Sequence, residues 1–157
     1  MTAFFLILGS NFGFPVSSIL SGIEALRKYG EVASRSSLYL TEPVDRTYQT
    51  GFVNGGVKFI SDLDPDRLIW ILKDLEKKAG RLFSSAKIHR PLDIDVAAAD
   101  ITHSSGQISI PHPALPKRRF MLVPLCELDR KFPASEDGRT FGDLLEMCVD
   151  PCEVLKI

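Results

Sequence analysis

The sequence lacks most of what would announce a special class of protein. It has almost no net charge: 19 Lys and Arg against 20 Asp and Glu leave −1, with a pI near 6.3. No overall field therefore draws in nucleic acid or an anionic membrane, and an anionic ligand must meet a local basic patch. An RNP-like K/R-G-F-G-F string is also missing, so no nucleic-acid partner is expected. Long apolar runs are absent too. The stretch Ala3 to Leu8 falls far below the roughly 18 residues that span a bilayer. It carries no basic n-region or cleavage site and reads as a strand, so no membrane partner is expected. Cysteine is scarce. Cys126, Cys148 and Cys152 make neither an even set nor a CxxC pair, which favours reduced thiols and a cytoplasmic protein. Cys148 and Cys152 share helical spacing, but no histidine stands near them to complete a zinc site. Internal repeats and linkers are lacking as well. At 157 residues a single domain over 1–157, acting as a monomer, is the expectation.

What is present is a clear alternation of elements. Ala3 to Leu8 runs into Gly9-Ser10-Asn11, the pattern of a buried strand entering a turn. After Pro15, the residues Val16, Ile19, Leu20, Ile23 and Leu26 follow helical spacing, with Gly30 as a stop. Val32 to Leu40 and Phe52 to Ile60 read as strands, the second with a bulge expected at Asn54-Gly55-Gly56. Asp64 and Pro65 open a second helix whose face is Leu68, Leu72, Leu75 and Ala79, and Gly80 closes it. Pro91 to Ala99 is a further strand. The order β-α-β-β-α-β predicts an α+β, ferredoxin-like fold: an antiparallel sheet with helices on one face, plus a C-terminal extension. That extension holds a short strand around Gln107 to Ile110, a helical stretch near Met121 to Leu128 and an amphipathic Phe141 to Met147.

The chemistry concentrates in Asp93-Ile94-Asp95. Two aspartates two apart on a strand share a face and can converge on one cation or a close pair. Oxygen ligands without thiol or imidazole pairs favour magnesium, and the bland alternative is two solvent-facing residues at a sheet edge. Lys87, His89 and Arg90 before the strand, and Lys117, Arg118 and Arg119 after Pro116, are the cations that phosphoryl transfer would need, or else a solvated face. Gly9-Ser10-Asn11 can present N–H groups to an anion or be a plain turn.

Seven ordered segments resemble the 6-hydroxymethyl-7,8-dihydropterin pyrophosphokinase family. They are Leu8-Gly9-Ser10-Asn11, Ser36-Ser37-Leu38-Tyr39 with Thr41-Glu42-Pro43, Phe52-Val53-Asn54, Leu75-Glu76 with Gly80-Arg81, Arg90-Pro91-Leu92-Asp93-Ile94-Asp95, Ile110-Pro111-His112-Pro113 and Arg118-Arg119-Phe120-Met121-Leu122. The resemblance implies transfer of pyrophosphate from ATP to a hydroxymethylated reduced pterin, leaving AMP. A divergent pterin-binding homologue with little or no kinase activity is the alternative. It implies two Mg²⁺ ions on Asp93 and Asp95, with Arg81 and Arg90 beside them as catalytic cations. It also implies a pterin site made by Thr41, Pro43, Val44, Phe52, Asn54 and Phe120. Glu76, Lys87, His112 and Arg118 fall on the nucleotide side. On residue type alone, Phe52 and Phe120 read as core residues, and Glu76 equally as a surface pair.

Overall fold

The computed structural model describes residues 1–41, 51–80 and 89–157. Four strands of the first hundred residues come in the order expected: β1 (Thr2–Ser10), β2 (Glu31–Thr41), β3 (Phe52–Ser61) and β4 (Asp93–Ala99). Helices α1 (Pro15–Leu26) and α2 (Pro65–Lys78) join them. The sheet order is β4-β1-β3-β2, every pair antiparallel, and a last strand β7 (Val154–Lys156) adds beside β2. A two-stranded hairpin of β5 (His103–Ser104) and β6 (Ser109–Ile110) follows β4. A short 3-10 turn then leads to α3 (Arg119–Asp129), and α4 (Phe141–Met147) comes next.

Local chemistry accounts for the element ends. The Asp64 carboxylate accepts the Arg67 N–H at 3.0 Å, Pro65 supplies the first helical position, and Gly80 leaves α2 at φ +103°. Those are the cap and stop that the sequence implied. Thr140 and Asp143 cap α4 reciprocally. Gly30 serves a different purpose from a helix stop: a Cβ there would lie 2.4 Å from the Ile60 carbonyl oxygen, so it lets two backbones approach.

The pleat divides the strands between two cores. Phe4, Leu6 and Leu8 face Ile19, Ile23, Leu26, Leu68 and Leu72 of α1 and α2. Phe5 and Ile7 face Met121, Leu122 and Leu125 of α3 and Phe141 of α4. Each fully buried side chain of this size contributes about 1.5–3 kcal/mol.

Three expectations change. Helices cover both faces of the sheet, because the C-terminal extension supplies α3 and α4 to the face that α1 and α2 leave bare. The extra residues fall on β2, between Val32 and Ser34 and between Arg35 and Leu38, the second opposite Gly56, while β3 itself keeps regular register with β1; a further shift lies between β1 and β4 at Phe5-Leu6. Gly55 and Gly56 relieve crowding: a Cβ at Gly55 would sit 2.7 Å from Leu38, and one at Gly56 would sit 3.1–3.2 Å from Leu128 and Pro124 of α3. The strands β5 and β7, two and three residues long, had no periodic signal to reveal them.

Candidate active site

One end of the sheet gathers the polar residues. The register places Gly9 between Asn54 and Asp93, Ile7 opposite Asp95, and Thr41 opposite Phe52. Because side chains alternate along a strand, Asp93, Asp95, Asn54, Phe52 and Thr41 all project to the face that carries α3. They stand on three different strands, with Gly9 of β1 between them, so no single stretch of chain makes the site.

Asn54 is held firmly. It is 4% exposed, and its Nδ2 donates to Thr41 Oγ1 at 2.8 Å, while that hydroxyl donates to the Phe52 carbonyl at 3.3 Å. Its position depends on Gly9, where an added Cβ would lie 2.4 Å from Asn54 Oδ1. The glycine that read as part of an anion-binding turn is therefore the space into which Asn54 fits. Asn11, from the same turn, receives the Arg90 N–H on its Oδ1 at 2.7 Å and donates its own N–H to the Arg90 carbonyl at 3.0 Å. This two-way bond fixes Arg90, whose Nη1 lies 3.2 Å from Asp93 Oδ2. In the sequence Asn11 reads only as part of the turn. Its partner is 79 residues away, and only topology brings the two together.

Glu76 is not a surface pair. It is 7% exposed on α2, and its Oε1 accepts the Ile94 N–H, between the two aspartates, at 2.7 Å. β4 is the sheet edge, so this carboxylate satisfies an edge N–H that would otherwise be buried. Burial first, then the charges of Asp93 and Glu76, push Asp95 up to about 7, against the opposing pull of Arg118 and Arg90. The acidic side chains outweigh their neighbouring cations, so the centre favours a bound positive charge.

His112 and Arg118 approach from the C-terminal extension. The His112 N–H donates to the Ala97 carbonyl on β4 at 2.8 Å, and its Nδ1 accepts from the Ala114 N–H at 3.0 Å. Burial and then the Arg118 charge lower its pKa, while Asp93 works the other way. A neutral imidazole is thereby favoured beside the acidic pair. The Arg118 guanidinium lies 5.8 Å from the centre of the Phe120 ring, close enough for a cation–π contact. Phe52 and Phe120 are both half-buried, each with surface left to offer a ligand. Arg81 and Lys87, as well as Pro43 and Val44, lie outside the described residues.

Among the described residues no three His, Cys, Asp or Glu side chains converge as a ligand shell. Two carboxylates are what the protein offers, and that set fits magnesium, which keeps waters and takes phosphate oxygens. No helix among the described residues is long and apolar enough to cross a membrane.

Fold and site define an α+β protein with a carboxylate centre ringed by arginines at one end of an antiparallel sheet. The chain belongs to the 7,8-dihydro-6-hydroxymethylpterin-pyrophosphokinase family, whose profile matches residues 5–130. It is 33% identical over 130 residues to the 2-amino-4-hydroxy-6-hydroxymethyldihydropteridine pyrophosphokinase of Aquifex aeolicus, covering 82% of this chain and 81% of that one. It is 35% identical over 125 residues to a folate synthesis bifunctional protein of Arabidopsis thaliana, covering 77% of this chain and 26% of the relative. The chain thus spans about a quarter of that relative's length. Among solved structures, HPPK-DHPS of Plasmodium falciparum superposes with a TM-score of 0.72 at 15% identity, covering 93% of this chain and 45% of that one, which bears on fold alone.

Proposed function

We propose that this chain transfers pyrophosphate from ATP to the hydroxymethyl group of 6-hydroxymethyl-7,8-dihydropterin, or of a closely related reduced pterin, giving AMP and the pterin diphosphate in folate-type biosynthesis. The observation that carries the reading is the shared face of Asp93, Asp95 and Asn54, with Arg90 and Arg118 around it. Relatives named as pyrophosphokinases, matched over most of both chains, favour transfer over pterin binding alone.

In this reading Asp93 and Asp95 hold magnesium, two ions in the full assembly, together with the ATP phosphates. When bound, the metal would neutralise phosphate charge and help orient the β-phosphorus for attack by the pterin hydroxyl, with AMP as the leaving group. The protein's own groups do the rest. Arg90, held by Asn11, and Arg118 both act on Asp95 and oppose the charge that develops on the transferred group. Arg81 and Lys87 are assigned to the same phosphates. Phe52 and Phe120 offer flat apolar surface to the pterin ring, while Asn54 pairs its polar edge and Thr41 fixes the amide. Pro43 and Val44 are assigned to the pterin as well. His112 faces the nucleotide. Glu76 acts here by holding β4 in place.

The chain is proposed to work as a single domain and a monomer with these two small substrates. Its near-zero charge and small, uneven number of cysteines support a cytoplasmic setting, although a relative from Pisum sativum is named mitochondrial. AMP release from ATP should require both the hydroxymethyldihydropterin and Mg²⁺. Formation of ADP without the pterin would count against the reading. Pterin binding without AMP would favour the binding homologue.

A further inference from the structure

The family profile ends at residue 130, yet the turn that presents Arg118 and Phe120 is gripped by residues beyond it. Arg118 is the N-cap of α3, with φ −125° and ψ 102°, and no side chain of its own caps the helix. The first helical N–H, that of Arg119, is instead satisfied by Asp150 Oδ2 at 2.9 Å. The Arg119 side chain reaches back over the same segment: Nε donates to the Asp150 carbonyl at 3.0 Å and Nη2 to the Cys148 carbonyl at 3.2 Å. Asp150 Oδ1 accepts the Cys152 N–H at 3.0 Å, which closes the loop around its carboxylate. Burial alone would raise the Asp150 pKa, but these N–H bonds and the Arg119 charge prevail and hold it below the usual range.

Four hydrogen bonds thus join residues 148–152 to one residue, or to each other, at the start of α3. That residue stands between two site residues in sequence. Arg118 on one side acts on Asp95 and His112, and Phe120 on the other is half-buried under the Arg118 guanidinium. Charge-assisted bonds to a forked guanidinium fix direction as well as distance. Arg119 thus reaches the C-terminal segment, while Phe120 packs against the core under α3 and Arg118 acts on Asp95.

We propose that Arg119 and Asp150 are positioning residues of the site: the C-terminal segment at 148–152 sets the orientation in which Arg118 and Phe120 meet the pterin and the phosphates. The proposal rests on the reading of those two residues given under Proposed function. It assigns a catalytic-site task to a stretch of chain outside the matched family core.

The test is steady-state kinetics of pterin-dependent AMP release, with direct pterin binding followed by pterin fluorescence, on folded protein well below its melting temperature. Arg119→Ala should raise the KM for the pterin about tenfold, equivalent to about 1.4 kcal/mol, through Phe120, and lower kcat about tenfold through Arg118. Asp150→Ala should do the same, and Asp150→Asn, which keeps one acceptor oxygen, should recover most of the loss. The double alanine variant should be little worse than either single one, because both break one network. If the variants only melt earlier and keep wild-type KM and pterin affinity, the pair is structural and the proposal is overturned. A fall in kcat alone would overturn it too. Failure of the underlying reading looks different, since the wild type itself would then release no pterin-dependent AMP.

Discussion

The two ends of the α3-facing side of the sheet are built from the same strands and hold opposite contents. At the start of β1, Phe5 packs on Phe132 and Phe141 with ring centroids 4.4 and 5.2 Å apart, under the Lys58 ammonium at 5.5 Å. Four residues further along β1, on the same parity, stands Gly9, flanked by Asn54 and Asp93. The first end is closed by large apolar rings that seal the core. At the second, the missing Cβ of Gly9 opens space, and Asn54, Asp93 and Asp95 fill its walls with polar groups. Fold stability is concentrated where side chains are large and matched, and function where they are small, charged and mutually strained. Asp95 shows the strain directly, since burial and two carboxylates disfavour its charge.

The largest effect should come from removing charge at the second end. Asp95→Asn keeps the shape and deletes the carboxylate, so AMP release should fall on the order of a thousandfold, the scale of a lost transition-state contact. Its melting temperature should not fall, and should rise at neutral pH, because the substitution relieves a carboxylate crowded by Asp93 and Glu76. A variant that lost both activity and stability would erase the contrast between the ends. Next comes the mirror experiment at the first end. Phe141→Ala should cost about 3–5 kcal/mol in urea unfolding, as core phenylalanine truncations do. Its effect on kcat per folded molecule should be small.

The contrast also explains what was legible in the sequence. Strands and helices with eight or more residues announced themselves through periodicity and caps, as α2 did with Asp64, Pro65 and Gly80. The aspartate pair and Asn54 were found through ordered motifs, and the register brings them to one face. Relations that depend on topology were hidden. Nothing near Gly9 in sequence says that it makes room for Asn54, 45 positions on, and Glu76 reads equally as a nucleotide-side carboxylate and a surface pair until β4 shows the N–H that it satisfies. Arg119 was visible as one of three consecutive cations. Its separate task depends on Asp150, which no spacing rule links to it.

Gly9→Ala tests the join between the two ends more gently. The added methyl meets Asn54 Oδ1 at 2.4 Å, so the amide must move and its bond to Thr41 must bend or break. Pterin affinity should fall about 10- to 100-fold, while overpacking costs about 1–3 kcal/mol of stability. Titration of pterin fluorescence alongside a urea melt separates the two.

The smallest effect lies between the ends, where α3 is tied to β2. Glu127 accepts the Ser37 N–H at 2.9 Å, the Ser37 hydroxyl at 2.8 Å and the Tyr39 hydroxyl. Partial burial works to raise the Glu127 pKa, but these donors prevail and hold it below the ordinary glutamate value, while burial and the same carboxylate push Tyr39 up to about 12. A carboxylate whose folded pKa is depressed adds stability above its unfolded pKa, about 4.3, and loses it as pH falls through the folded value. Glu127→Gln should therefore cost about 0.5–1 kcal/mol at pH 7, a small figure because the side chain is exposed. The gap between variant and wild type should close below about pH 4, as the wild-type carboxyl takes up its proton. Urea melts of both proteins from pH 3 to 7 would measure it. A constant gap across that range would mean that α3 is held to the sheet by packing at Gly56 rather than by this charge.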